Sequence, residues 1–363
     1  MYLNQNLFIV HVVEPFASGI ATFIRSLVEN LPQDYHVIIH GERQEVMDSD
    51  EVKKLFPKNN IRFIHWKSVK RNLHPYKDAK AFLELYQILK RFRHADAVHL
   101  HSSKSGFIGR LVCKMLGFKN VIYTPNGAPF LMNDGLLKRS LYRQLEKIGA
   151  SFGGRVVCVS ASEAEAYHNI GVSASFINNG TKVYNERLEE GKDDLTGKFI
   201  IAFTGRITAQ KNPERFNQLA HKFLYNKQLI FLWIGDGEER HKLTAPNIHI
   251  TGWLSEADVR QVLARASIYL STSYYEGLSF GVLEAMSMAK PMILSNCTGN
   301  RDIIRYGVNG DLFDTVEQAY TQILYYINNP TMLKAMGNYS RDLCQSEFSA
   351  EASADNYRMV YSL

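Results

Sequence analysis

Short apolar runs alternate with longer amphipathic ones along this chain, and midway the alternation starts afresh. "LFIVHVV" (7–13), "HVIIHG" (36–41), "IRFIHW" (61–66), "AVHLH" (97–101), "NVIYT" (120–124) and "RVVCVS" (155–160) read as strands, with helical stretches such as "IATFIRSLVENL" (20–31) and "DAKAFLELYQILKRF" (78–92) between them. Near-continuous apolar strands separated by helices imply a parallel sheet covered on both faces. The second series is "FIIAFTG" (199–205), "LIFLWIG" (229–235), "IHITG" (248–252), "IYLSTS" (268–273) and "PMILS" (291–295). Between the two lies "VYNERLEEGKDDLTGK" (183–198), charged and aperiodic, which is linker composition. The expected class is α/β, with two Rossmann-like doubly wound parallel-sheet domains facing one another across a cleft. A chain of 363 residues has room for about two such cores. In these sheets ligands bind beyond the carboxyl ends of the strands.

With 45% hydrophobic and 21% charged residues the composition is that of a globular protein in water. No apolar run approaches the ~20 residues of a membrane span, and "MYLNQNLFIVHVV" reads as a first strand and not as a signal peptide. Cys113, Cys158, Cys297 and Cys344 are scattered without a C-x-x-C, so reduced packing thiols and a cytoplasmic setting are expected. Charge is unevenly placed: residues 1–190 carry 25 Lys and Arg against 18 Asp and Glu, while the whole chain is at +6. A basic first half suits an anionic partner. Nucleic acid is disfavoured, because no helix-turn-helix, zinc or RNP-like motif accompanies the charge; an anionic membrane surface fits better, and solvated surface charge with no partner is equally open.

Chemistry concentrates at strand ends in the second half. In "FTGRITAQKNPERF" (203–216) the strand stops at Gly205, Arg206 and Lys211 follow in the loop, and Asn212-Pro213 opens a helix. An Arg fork and a Lys point charge at a strand end can clamp a diphosphate. "GDGEER" (235–240) is a tight glycine turn, and "TGWLSEADV" (251–259) offers Ser255 as an N-cap. Either loop could approach a planar base through its backbone, Trp253 and Leu254 included, although the preferred reading of Trp253 is a packing aromatic. In "YYEGLSFGVLEAMSMAKP" (274–291), Glu276 and Glu284 bracket a glycine-bearing loop at a helix start. Backbone N–H groups there make a positive site between two carboxylates, suited to an anion with hydroxyls on either side.

Taken in order, "GR…KN", the glycine turn, "GW" and "EGLSFGVLE" resemble the retaining GT-B glycosyltransferases of family 4, and they cover almost the whole second half. The first half adds "ASGIATFIRSL" (17–27), "HLHSSKSGFIGR" (99–110), "YTPNGAPF" (123–130), "VSASEAEAY" (159–167) and "INNGT" (177–181). The resemblance implies sugar transfer from a nucleotide-diphospho-sugar, with retention at the anomeric carbon and with neither metal nor cofactor; uridine is the expected base. It implies that Arg206 and Lys211 grip the diphosphate and that Glu284 meets the ribose. Glu276 would bind a sugar hydroxyl and steady positive charge near the anomeric centre. The amides of Leu278, Ser279 and Phe280, after Gly277, would touch phosphate or sugar, and Gly19 would let backbone approach the phosphate from the first domain. Two cations at a strand end, with no D-x-D at one, agree with a metal-free clamp. Two departures stand out. Asn126 occupies a place where relatives carry a histidine, and an amide binds a hydroxyl but does not ionise near pH 7. His101 is the nearest alternative polar group, with a packing role equally open to it. Asp302, in "TGNRD" (298–302), replaces a longer glutamate.

The implied layout is an acceptor-side domain over 1–182, a linker over 183–198 and a donor domain over 199–347, with a tail over 348–363 crossing back onto the first. The acceptor expected is a saccharide or polyprenyl-diphosphate-linked saccharide of cell-surface polysaccharide synthesis. "LLKRSLYRQLEKIGA" (136–150), basic and leucine-rich, reads either as a membrane-surface helix or as a helix packed on the sheet. A nucleotide-sugar epimerase and a non-catalytic nucleotide-sugar binder are the competing readings. A nicotinamide enzyme is disfavoured, since no G-x-G-x-x-G follows the first strand.

Overall fold

The computed structural model describes residues 6–42, 48–70, 74–132, 135–184 and 197–363. The chain divides into two units, 1–180 with 350–363, and 181–349. Most of the stretch expected as linker, at 185–196, lies outside the described residues, as does the start of the N-terminal stretch, at 1–5.

In the first unit seven strands form one parallel sheet: β1 (Phe8–Val13), β2 (Tyr35–His40), β3 (Ile61–His65), β4 (Ala97–His101), β5 (Val121–Thr124), β6 (Arg155–Cys158) and β7 (Ala174–Phe176). Their order is β3-β2-β1-β4-β5-β6-β7, so the winding reverses between β1 and β4. Alternation along the strands sorts the side chains into two unlike faces. One carries Val10, Val12, Val37, Ile39, Val98 and Leu100, and these join an apolar core with Leu85 and Leu89 of the helix Pro75–Leu89 and Val112 of the helix Ser103–Leu116. The other face carries histidines, and it lies under Phe23 of the helix Ser18–Asn30 and Tyr357 and Tyr361 of the helix Ala350–Tyr361.

That last helix is tied to the first unit by several polar bonds. Arg358 pairs with the buried Asp34 at 3.0 and 3.3 Å, Asn120 Nδ2 donates to the Tyr361 carbonyl at 2.8 Å, and Ser353 Oγ donates to the Asn178 carbonyl at 2.8 Å.

The second unit holds a six-stranded parallel sheet: β8 (Phe199–Thr204), β9 (Leu229–Ile234), β10 (Ile248–Ile250), β11 (Ile268–Ser271), β12 (Met292–Ser295) and β13 (Gly310–Phe313). The order is β10-β9-β8-β11-β12-β13, reversing between β8 and β11. Its core is aromatic on one side: Phe203, Phe216 and Trp233 meet edge-on, with centroids 4.5 Å (Phe203–Trp233) and 5.0 Å (Phe216–Trp233) apart. Two parallel-sheet α/β domains are therefore present, as the doubled alternation implied. All four cysteines are free and buried; burial pushes the Cys344 thiol up to about 12, and burial together with the Glu276 carboxylate pushes the Cys297 thiol there too, so they pack and do not react. No described helix is long and apolar enough to cross a membrane.

Candidate functional site

The reversal between β8 and β11 brings two distant loops side by side. After β8 the chain turns at Gly205 (φ +148°), runs through Arg206 and reaches Asn212, which is itself left-handed (φ 54°). Asn212 Oδ1 accepts from the Arg215 N–H at 3.2 Å, and Pro213 occupies the first position of the helix Pro213–Lys222. After β11 the loop 272–279 leads into the helix Phe280–Ser287. The two loops are laced together: the Tyr274 N–H donates to the Gln210 carbonyl at 2.9 Å, and Thr272 Oγ1 donates to the Lys211 carbonyl at 2.8 Å.

Held by that lacing, Lys211 Nζ lies 2.6 Å from Glu276 Oε1, with side chains 16% and 7% exposed. A lysine and a carboxylate 65 residues apart thus share one nearly dry position. Gln210, which the sequence reading passed over, supports the same carboxylate: its Nε2 donates to the Tyr275 carbonyl at 3.0 Å and stands 3.5 Å from Glu276 Oε2. Its only sequence signal was its place beside Lys211. The loop after β12 closes the third side. The Glu276 N–H donates to the Thr298 carbonyl at 3.1 Å, and a Cβ on Gly299 (φ +83°) would stand 2.6 Å from the Gly277 carbonyl oxygen.

Arg206 reaches outward, where its Nε meets Glu238 Oε2 at 3.0 Å. Glu238 is 55% exposed, so this pair is weak and the guanidinium can turn to another anion at little cost. The glycine turn after β9 packs against the β8 loop: a Cβ on Gly235 would lie 2.4 Å from the Gly205 oxygen, and one on Gly237 would lie 2.3 Å from the Ile207 oxygen. Leu278 and Ser279 are buried beside Gly277, Ser279 caps the helix with extended backbone, and half-buried Phe280 begins it. Glu284 sits half-buried in that helix, with Glu276 in the loop before it. Trp253 is 59% exposed and Leu254 36%, so Trp253 is not a packing aromatic. Gly205, Arg206, Lys211, Glu276, Gly277, Leu278, Ser279, Phe280 and Glu284 therefore gather at the carboxyl ends of β8 and β11.

Three candidates belong to the first unit. Gly19 is exposed at the start of the helix Ser18–Asn30. Asn126 is half-buried and left-handed (φ 56°), and the next residue's N–H donates to Glu163 Oε1 at 2.8 Å. Glu163 is fully buried; burial raises its carboxyl to about 7 against the pull of the backbone N–H groups it accepts from. His101 is the third. It is fully buried and hydrogen-bonded through Nε2 to His11 Nδ1 at 3.0 Å, while His11 Nε2 meets His36 Nδ1 at 3.1 Å. His99 bridges Tyr361 OH (2.7 Å) and Thr124 Oγ1 (2.8 Å) on the same face. The structure thus gives His101 the packing role, inside a chain of imidazoles kept neutral by burial. Among the described residues, His11, His99 and His101 are also the one group with metal-ligand spacing, their nitrogens lying within 4.8 Å of one another.

Two family models match the chain. The family model for "Glycosyltransferase Family 4" matches residues 17–183, and that for "Glycosyl transferases group 1" matches 186–343. The chain belongs to the GT-B glycosyltransferases of family 4. Among its relatives is an Escherichia coli protein named UDP-Gal:alpha-D-GlcNAc-diphosphoundecaprenol alpha-1,3-galactosyltransferase, 26% identical over 84% of each chain. An uncharacterised 41.2 kDa protein of the Klebsiella pneumoniae cps region is also 26% identical, over 84% of this chain and 85% of its own. Of solved structures, Anabaena HepE in complex with UDP and glucose superposes with a TM-score of 0.80 at 13% identity, over 98% of this chain and all of that one. The lipopolysaccharide outer core galactosyltransferase WaaB gives 0.72 at 20%, over 98% and 99%. Both solved structures share the fold of this chain.

Proposed function

We propose that this glycosyltransferase moves a hexosyl group, with retention, from a UDP-sugar to a saccharide carried on a polyprenyl diphosphate, as a step in building a cell-surface polysaccharide. The observation carrying this is the Lys211–Glu276 pair at the reversal between β8 and β11, with Arg206 on the same loop. A departing nucleoside diphosphate accumulates negative charge as the anomeric C–O bond breaks. Fixed cations and backbone N–H groups stabilise that charge most where water is scarce. Glu276, against the lysine, is placed for the sugar, and its carboxylate opposes positive charge growing at the anomeric carbon. The acceptor oxygen forms the new bond on the face that the diphosphate leaves, and its proton passes to the departing diphosphate. Charge is balanced by protein groups, so no metal ion is needed.

Donor and acceptor classes are supported by the E. coli relative, whose name specifies UDP-Gal and a diphosphoundecaprenol-linked GlcNAc. The Klebsiella relative's place in a cps region agrees with polysaccharide synthesis. The test is incubation with UDP-Gal, UDP-Glc or UDP-GlcNAc and a polyprenyl-diphosphate GlcNAc acceptor in excess EDTA, with product linkage read by NMR. An α-linked product is expected. A β-linked product, or turnover that needs added magnesium or manganese, overturns the proposal. Interconversion of the sugar nucleotide without acceptor would point to an epimerase instead.

A further inference from the structure

The loop after β5 carries two left-handed residues in a row, Asn126 (φ 56°) and Gly127 (φ 102°). Asparagine and glycine tolerate this region, but tolerance alone does not hold a loop there. Asn126 Nδ2 donates to the Thr124 carbonyl at 3.3 Å, which sets the amide against the end of β5. The rest of the hold comes from a distant carboxylate. Glu163, in the helix Ala161–His168 after β6, accepts from the Gly127 N–H through Oε1 at 2.8 Å and from the Val159 N–H through Oε2 at 3.0 Å. The Ala128 N–H is a third donor to it.

The residue type follows from that count. Three N–H groups converge on one buried side chain, and an ionised carboxylate offers acceptors only, whereas a glutamine would turn an NH2 toward one of them. Glu163 is 0% exposed, and among the described residues no lysine or arginine pairs with it. An unpaired buried acid contributes little to stability. Its effect is geometric: one carboxylate ties the loop after β5 to the residue after β6, at the edge of the sheet where ligands bind.

We propose that Glu163 is a positioning residue for sugar transfer, its carboxylate locking the loop 125–128 so that the Asn126 amide meets a sugar hydroxyl. The inference rests on the transferase reading above and deepens it. Burial raises the Glu163 carboxyl to about 7, so the clamp is ionised and complete above that pH. Below it, one oxygen carries a proton and faces N–H groups as a donor, and the loop is released. Asn126 has no ionisation of its own in this range, so any pH response of the loop is that of its clamp. The titratable groups facing Glu163 are Glu146 of the helix Leu136–Ser151, Cys158 of β6 and Tyr357 of the helix Ala350–Tyr361. Burial keeps the Cys158 thiol and the Tyr357 hydroxyl protonated throughout. Glu146 is also raised by burial, but takes its hydrogen bonds from Arg110, Tyr123 and Tyr167 and not from the loop.

Hydrogen exchange of the full chain, corrected for the intrinsic rate at each pH, is followed over peptides covering 125–131 between pH 6 and 8, with transfer kinetics in parallel. Protection should fall about tenfold from pH 8 to pH 6, tracking the ionised fraction of a group titrating near 7, and kcat/KM for the sugar nucleotide should fall with it. Glu163→Gln should be low in both at pH 8, with kcat/KM down about tenfold or more, and flat across the range. A merely structural carboxylate would cost stability and leave the parent's pH profile in the variant. Asn126→Ala should lower kcat/KM, and adding Glu163→Gln to it should cost little more. If Glu163→Gln does not fold, the parent's exchange profile and Asn126→Ala still decide. Protection that is flat between pH 6 and 8, a Glu163→Gln enzyme with the parent's pH profile, or an Asn126→Ala enzyme with the parent's kcat/KM overturns the inference. Those failures leave transfer itself standing. Absence of transfer at every pH instead removes the transferase reading, and the positioning role with it.

Discussion

Replacing Lys211 by Met tests whether the buried pair belongs to the fold, to the chemistry, or to both. Methionine keeps most of the apolar stem and removes the ammonium that lies 2.6 Å from Glu276 Oε1. The carboxylate, on a side chain 7% exposed, is left with Gln210 Nε2 at 3.5 Å. Stranding a buried charge costs about 3–5 kcal/mol, and the lower end applies because Lys211 itself is 16% exposed. For a unit of this size that is ~6–12 °C in melting temperature. Adding Glu276→Gln removes the stranded charge and should return about 2 kcal/mol of the loss. Activity should behave differently. Losing one fixed cation at the leaving group lowers kcat by about 10²–10³, and Glu276→Gln cannot restore it, since the sugar loses its carboxylate as well. Scanning calorimetry and single-turnover transfer on the two single variants and the double variant form the cycle. A Lys211→Met protein that melts within about 1 °C of the parent, or a double variant less stable than Lys211→Met, would show that the pair is not the coupled unit described here. Undiminished turnover in Lys211→Met would remove the lysine from the mechanism.

Three further outcomes follow from the packing. The imidazoles of His11, His36, His99 and His101 are held below their ordinary range by burial, His36 at about 4. The unfolded chain therefore binds protons first as pH falls. Stability conferred by their neutrality is complete above about pH 6.5 and is lost toward pH 4, at up to about 1.4 kcal/mol per pH unit per histidine. Glu163, raised to about 7, works the other way between about 4.5 and 7, so denaturant midpoints across pH 4–7 should still fall on acidification; a flat profile refutes the histidine assignment. Arg358→Met severs the pair with Asp34 and should cost about 3–5 kcal/mol, with amide exchange rising first over 350–361; unchanged protection there would count against the anchoring role. Gly237→Ala would put a methyl 2.3 Å from the Ile207 carbonyl oxygen, so about 1–3 kcal/mol of stability should be lost; an unchanged calorimetric melting temperature would count against the close packing of the two loops.

Strand and helix alternation carried most of the fold, because a parallel sheet covered on both faces needs uniformly apolar strands and a helix between each pair. The reading missed β7 and β13, edge strands of three and four residues. Segments so short bury too little to leave a periodic signal; each is defined by pairing with its neighbour and not by its own composition. It also took "HVIIH" and "VHLH" as ordinary apolar strands. Read with a period of two, His36, His40, His99 and His101 fall on the same face as His11, which stands directly opposite His99 in the β1–β4 register. The signal was in the alternation, but its meaning required the strand order, since imidazoles on non-adjacent strands would have no one to bond.

Strand order also explains which parts of the site were legible. Each loop announced itself locally: Gly205 before two cations, Asn212-Pro213 at a helix start, a carboxylate ahead of "GLSFGVL". What no local pattern contains is that Lys211 meets Glu276. That contact exists because β8 and β11 are neighbours at the reversal of the winding, which places two loops 65 residues apart against one another. The same reversal in the first unit lies between β1 and β4, and there the strands carry histidines that bond among themselves beneath a returning helix. The two reversals thus do opposite things with polar side chains. In the second unit the two strands at the reversal, β8 and β11, carry no charged side chain and the loops beyond them hold the charge, built on glycines that let backbone touch backbone. In the first, polarity lies within the sheet, so His101, read from sequence as an alternative site residue, is a structural one. A histidine inside a strand, with neighbours of matching parity on adjacent strands, is a packing group; a charged residue past the last paired residue of a strand at the winding reversal is the one to test for chemistry.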